Sequence, residues 1–344
     1  MDGEMLLSQL STAQRGELLA LTRSTYDAID ALNAADAYGK ACCWLSRDDA
    51  PQTALEQLVS VIGEHDIRAS AALPGGSCDL SGVAGYEWWL QIRPPASGQP
   101  FHHDTDWNDH DAGLSPSLSF SRCSSVTYLS DAGGPLVVLV PHDAAIEPKR
   151  AHARHSDEYD RALNATLRAP HGAYVSAPLF GKHVRFRGSL YHGVLEQHAA
   201  AERHADDRIA LVVAYWAAPL RRIHRFPREH FARQLARHAP SGDGANADAR
   251  LSVAKRSLST IEPFPYAAAS PDATCATAAF DGANSLDFVT WSRDEEEPIE
   301  TSTRRTTHVS SLDALTRSRF SLRLPTSLAP GASVFVADVG MSTL

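Results

Sequence analysis

The 344-residue chain is long enough for a full catalytic domain with additions and for a large buried core. With 43% hydrophobic and 21% charged residues it has an ordinary globular composition, which argues against wholesale disorder. A formal net charge of -9 gives no global basic field for a phosphate backbone, despite local runs such as Lys149-Arg150 and Arg221-Arg222, so nucleic acid is disfavoured as a partner.

The first ten residues carry Asp2 and Glu4 and have neither a basic n-region nor a continuous apolar stretch, and nothing later is apolar enough to span a bilayer. A cytoplasmic protein without membrane contact is the expectation. The five cysteines, Cys42, Cys43, Cys78, Cys123 and Cys275, form neither an even disulfide framework nor paired CxxC knuckles. Cys42 and Cys43 are read as small buried hydrophobes.

In chain order, Ser11-Thr12-Ala13-Gln14 has a capping-box pattern, and Leu18, Leu19, Tyr26, Ile29 and Leu32 recur behind it at helical spacing. A second helix is expected with Asp49 as its cap, Pro51 in its first turn, and Leu55, Leu58, Val59 and Ile62 on one face before Gly63. From Tyr86 the texture changes to short apolar runs cut by Gly and Pro, as in a multi-stranded β structure. Strands are expected over 86–92, 125–129, 136–140, 173–177, 183–186 and 209–216, with a polar insertion over 142–171 that contains a helix near 157–167. Beyond Trp216 the reading gives a helix over 228–239, a linker at 241–245, and strands over 285–291, 320–324 and 333–339. The resulting division is an N-terminal helical support over 1–75, a β-rich core over 76–225, and an extension of mixed α and β over 226–344.

The chemistry concentrates in Pro100-Phe101-His102-His103-Asp104-Thr105-Asp106. An imidazole and a carboxylate one residue apart lie on the same side of an extended strand, so His102 and Asp104 can share one metal ion. His103 with Asp106 has the wrong parity for that arrangement. Alone, a His-x-Asp among 16 histidines is weak. Downstream, however, Val184 to Phe186 reads as a strand, followed by Arg187-Gly188-Ser189-Leu190-Tyr191-His192-Gly193-Val194, a glycine turn leading to a histidine among apolar neighbours. A nearly all-apolar strand opened by one arginine, Arg208-Ile209-Ala210-Leu211-Val212-Val213-Ala214-Tyr215-Trp216, comes after it.

Together these segments resemble the Fe(II)- and 2-oxoglutarate-dependent dioxygenases, whose pattern is His-x-Asp, a distant His, and Arg or Lys on a following strand. The likeness spans about Tyr86 to Trp216 and includes Gly133-Gly134-Pro135, similar to a segment of several members. It implies a double-stranded β-helix (jelly roll) core with helices flanking one sheet. It also implies His102, Asp104 and His192 as iron ligands and Arg208 as the partner of the cosubstrate's distal carboxylate, a task suited to a guanidinium fork. Fe(II), 2-oxoglutarate and O2 are the implied cofactor and cosubstrates, and hydroxylation or another oxidation of an unactivated C–H bond is the implied reaction. The carboxylate at 104 disfavours the halogenating variant.

The chain departs from the family where many members place Ser, because position 210 is Ala. Tyr128, Thr127 and Gln91 are the substitutes expected to contact 2-oxoglutarate, although Tyr and Thr also suit strands for packing alone. Trp88, Trp89 and Trp107 either line a pocket or fill the core. A small-molecule substrate is the first expectation and a protein side chain the second. Two rival readings are a catalytically silent metal-binding jelly roll and a zinc-dependent hydrolase using the same three ligands.

Overall fold

The computed structural model describes residues 2–5, 7, 10–34, 42–72, 78–94, 97–106, 119–141, 170–195, 206–221 and 223–226, together with strands in 285–292, 315–323, 333–336 and 339–343. In chain order the elements are β1 (Asp2–Met5), α1 (Thr12–Ala34), β2 (Cys42–Ser46), α2 (Ala54–Ala72), β3 (Gly85–Arg93), β4 (Gln99–His102), β5 (Cys123–Tyr128), β6 (Leu136–Pro141), β7 (Pro170–Ser176), β8 (Lys182–Phe186), β9 (His192–Val194), β10 (Arg208–Trp216), β11 (Ser285–Ser292), β12 (Leu315–Arg323), β13 (Ser333–Val336) and β14 (Val339–Thr343). The helices expected within 142–171 and over 228–239, and the linker at 241–245, lie outside the described residues.

The described residues are mostly β. A six-stranded sheet runs β1-β8-β5-β10-β3-β2, a five-stranded sheet runs β13-β7-β6-β9-β4, and β11-β12-β14 form a third. All their recorded pairings are antiparallel. The first two sheets meet across Val126, Tyr128, Leu136, Val138, Val184, Val194, Ala210 and Val212, in a jelly-roll-like arrangement.

Strand β10 is buried at all nine positions because both of its faces are covered. Ile209, Leu211, Val213 and Tyr215 join the cluster shared with α1 and α2, whereas Ala210 and Val212 point into the space between the sheets. This double burial explains why the strand reads as continuously apolar in the sequence.

The helices form for the expected local reasons, with one shift. The capping box of α1 is present, Ser11 N donating to Gln14 Oε1 at 2.9 Å and Gln14 N to Ser11 Oγ at 3.3 Å. For α2 the cap is Thr53 rather than Asp49: Glu56 N donates to Thr53 Oγ1 at 3.1 Å, and Gln52 N donates to Glu56 Oε2 at 2.6 Å. Leu55, Leu58, Val59 and Ile62 are fully buried, as their spacing predicts.

Gly63 does not end this helix, which continues to Ala72. A Cβ at Gly63 would lie 2.4 Å from Tyr86 Cζ, so the glycine admits an aromatic ring from β3. The N-terminal segment expected as helical support also supplies strands: β1 pairs with β8, and β2 with β3. Cys42 and Cys43 are buried on β2. Among the described residues no helix is long and apolar enough to cross a membrane.

Candidate metal centre

Cross-strand pairing brings the site together. His102 closes β4 and His192 opens β9, and they are direct register partners in the smaller sheet. Such partners share a face, so their rings meet with centroids 4.4 Å apart.

Asp104 lies two residues beyond the end of β4, and its backbone is stitched in from both sides. Asp104 N donates to Gly188 O at 3.3 Å, and Ser121 N donates to Asp104 O at 3.1 Å. The first of these contacts needs a glycine, because a Cβ at Gly188 would lie 1.8 Å from Ser121 Oγ. The carboxylate is thereby aimed back at the imidazoles, with Oδ1 3.6 Å from His102 Nε2 and 3.7 Å from His192 Nε2. Potential ligand atoms of His102, Asp104 and His192 all lie within 4.8 Å of one another, a set able to hold a metal ion.

Further contacts orient these side chains. His192 Nδ1 bonds the carbonyl of Leu190 at 2.9 Å; a carbonyl only accepts, so Nδ1 carries the hydrogen and Nε2 presents its lone pair. Burial pushes the His192 pKa down to about 4, against the opposing pull of Asp104, so the ring is neutral at neutral pH, as a metal ligand must be. Ser124 Oγ donates to Asp104 Oδ2 at 2.5 Å and is backed by Ser121 Oγ at 3.0 Å, which leaves Oδ1 to face the histidines. Phe186 packs against the His192 ring with centroids 4.7 Å apart. A carboxylate oxygen and a histidine lone pair thus face one another in a buried space, an arrangement that a cation relieves.

His103, the neighbour of opposite parity, points elsewhere. Its Nδ1 bonds Ser189 O at 2.9 Å, its ring packs on Tyr191 with centroids 5.0 Å apart, and burial pushes its pKa down to about 3.

Arg208 is 1% exposed. Its Nη1 donates to Gln91 Oε1 at 3.0 Å, its guanidinium lies 5.3 Å from the centre of the Tyr128 ring, and its buried Nε and Nη2 have no hydrogen-bond partner among the described residues. Burial lowers its pKa, with Tyr128 acting in the opposite sense. Nε and Nη2 form one edge of the guanidinium, the edge that takes a carboxylate in two parallel hydrogen bonds. Gly133 makes room for this side chain: its φ is +95°, and a Cβ there would lie 2.3 Å from Arg208 Cβ.

Of the residues expected around Arg208, Gln91 and Tyr128 flank Ala210 in register on the two neighbouring strands and face the same interior. The Tyr128 hydroxyl is engaged, donating to Ser176 O at 3.0 Å.

Thr127 does not join them. It is adjacent to Tyr128 on β5 and therefore points to the helix side of the sheet, where its hydroxyl bonds His183 Nδ1 at 2.8 Å. Trp88 likewise packs into the core beneath the helices, Trp89 lies between the sheets and the β2 side, and Trp107 is outside the described residues. The sequence reading missed Ser124 and Gln99. Ser124 shares strand parity with Val126 and Tyr128 on the inward face of β5, which was the available signal. Gln99 signals only by sitting three residues before His102 in the same short strand.

No family model and no curated protein matches the chain. Among solved structures it is similar to a Pseudomonas putida prolyl-4-hydroxylase, at 17% identity over 55% of this chain and 78% of that one, with a TM-score of 0.28. A second is the non-heme alpha ketoglutarate dependent carbocyclase SnoK from nogalamycin biosynthesis, at 15% identity over 65% and 83%, with a TM-score of 0.36. EctD from S. alaskensis in its apoform matches at 13% identity over 66% and 84%, with a TM-score of 0.30.

Proposed function

We propose that this protein is an Fe(II)- and 2-oxoglutarate-dependent oxygenase that oxidises an unactivated C–H bond, with a small molecule as the first candidate substrate. The observation that carries the reading is the pairing of two complementary groups in one interior. One is the His102, Asp104 and His192 set, able to hold a cation; the other is the buried Nε–Nη2 edge of Arg208, able to hold a carboxylate. A hydrolytic zinc site would use the first and leave the second unexplained. The strand order supports a double-stranded β-helix, since the chain alternates between the sheets as β3, β4, β5, then β6 and β7, then β8, β9 and β10.

In this reading His102, Asp104 and His192 would hold the iron. Iron with 2-oxoglutarate and O2 supplies the oxidising power. The chain's own residues do the remainder. Arg208 takes the distal carboxylate, Gln91 fixes the guanidinium, and Tyr128 underlies it. Ser124 holds Asp104 as a ligand through one oxygen. Val126, Val138, Val194 and Val212 line the space between the sheets with apolar groups that exclude water. The His102 side chain is the most exposed of the three at 32%, against 6% for Asp104 and 7% for His192, so substrate enters from its side.

The test is succinate formation from 2-oxoglutarate by protein reconstituted anaerobically with Fe(II) and then exposed to O2. His192→Ala should abolish metal-dependent turnover, while Arg208→Ala should chiefly raise the 2-oxoglutarate requirement. Wild-type protein that neither binds 2-oxoglutarate nor forms succinate contradicts the proposal, as does an equal loss of metal affinity in both variants.

A further inference from the structure

A line of amides joins the two half-sites. Arg208 Nη1 donates to Gln91 Oε1 at 3.0 Å, Gln91 Nε2 donates to Gln99 Oε1 at 2.6 Å, and Gln99 Nε2 lies 3.3 Å from His102 Nε2. Its direction is fixed at one end. A guanidinium has only donors, so the oxygen of Gln91 must face Arg208. The nitrogen of Gln91 then faces Gln99, which must offer its oxygen, and the nitrogen of Gln99 is turned toward His102. An amide nitrogen does not accept, so His102 Nε2 is the acceptor and carries a lone pair. That is the same nitrogen that faces Asp104 Oδ1 in the candidate ligand set.

A metal ion at the three ligands must therefore take the lone pair that Gln99 occupies. Once it does, the Gln99 amide keeps its hold on Gln91 and has a donor to spare inside the site. We propose that Gln99 is a positioning residue with two alternating acceptors: His102 Nε2 before metal binds, and the anionic oxygens of 2-oxoglutarate afterwards. This rests on the function proposed above. It makes Gln99 a mild competitor of the metal and an aid to the cosubstrate, so one side chain acts on the two affinities with opposite sign. It also supplies, from β4, the hydrogen bond for which position 210 has no hydroxyl.

The experiment measures two affinities in the full-length protein under anaerobic conditions: Fe(II) alone, and 2-oxoglutarate on the Fe(II)-loaded protein. Gln99→Met preserves length without the amide, and Gln99→Leu is the second variant. Each should bind Fe(II) about fivefold more tightly, the worth of one neutral hydrogen bond, and 2-oxoglutarate about tenfold more weakly, the worth of one to a charged group. A purely structural role for Gln99 would weaken both. Wild type that binds both ligands, with variants in which the affinities fall together or neither moves, overturns this inference alone. Wild type that binds Fe(II) but not 2-oxoglutarate overturns the proposed function and this inference with it.

Discussion

Ser124→Ala isolates the support of the carboxylate ligand. Asp104 Oδ2 accepts from Ser124 Oγ at 2.5 Å, both residues are buried, and Ser124 is itself held by Ser121 Oγ at 3.0 Å. A hydrogen bond to a buried charge contributes about 1.5–3 kcal/mol, and without it Oδ2 has neither water nor this hydroxyl. The carboxylate can then rotate, and its Oδ1, 3.6 and 3.7 Å from the two histidine nitrogens, is no longer fixed as the single ligand oxygen. Loss of a group that orients a metal ligand typically costs 10- to 100-fold in metal affinity, or about 1.4–2.7 kcal/mol, which matches the hydrogen-bond figure. The assay is anaerobic Fe(II) titration of wild type and variant, with the urea midpoint recorded in parallel. Unchanged metal affinity in a folded variant would refute the assigned role of Ser124. A loss above 100-fold would mean that Ser124 supports more of the site than one oxygen.

Three other substitutions separate the site from the scaffold. Gly133→Ala should weaken 2-oxoglutarate binding at least tenfold while sparing Fe(II) affinity, because φ is +95° and the added Cβ would fall 2.3 Å from Arg208 Cβ; equal loss of both affinities would count against this. Asp66→Asn should destabilise the fold by about 3–5 kcal/mol in urea and leave metal binding intact. Asp66 is fully buried on the helix side of the sheet, where it accepts from Tyr215 and pairs with His183 at 3.1 Å and Arg185 at 3.4 Å. Burial raises its pKa, but His183, Arg185 and Tyr215 together outweigh this and lower it, so its stabilisation is present above the unfolded carboxylate value near 4 and is lost as pH falls through the lower folded value. The wild-type advantage over Asp66→Asn should therefore shrink on acidification below that point. Lys182 has the same sign in an alkaline window: burial lowers its pKa from 10.5 to about 8, so the unfolded chain binds more protons between those values and stability rises with pH across them. Lys182→Met should remove this rise, which is worth at most about 3 kcal/mol, in urea midpoints compared at pH 7.5 and 10.

The fold was legible where one residue's neighbours decide its state. The burial of β10 on both faces, the apolar face of α2, and the capping box of α1 follow from local pattern. The cap of α2 was misplaced by four residues because Asp49 and Thr53 are both good caps; Thr53 is the one whose hydroxyl accepts from the N–H three positions on, that of Glu56. Strand β1 escaped notice because a four-residue polar segment becomes a strand only by pairing with β8, a contact that local pattern does not encode.

The same divide runs through the site. His102, Asp104 and His192 could be picked out by motif, but Thr127 could not be separated from Tyr128 without knowing which face of β5 meets the helices. One residue of parity sends Thr127 to His183 and Tyr128 toward Arg208. Position 210 shows why reading one strand at a time underdescribes such a site. Ala210 stands in register with Gln91 on β3 and Tyr128 on β5, so all three share a face, and a donor missing from one strand can be supplied by its neighbour without any change in the cavity. Gln91 occupies that position and is already engaged by Arg208 and Gln99. On the function proposed above, the hydroxyl absent at position 210 is therefore matched by the amides that join Arg208 to His102.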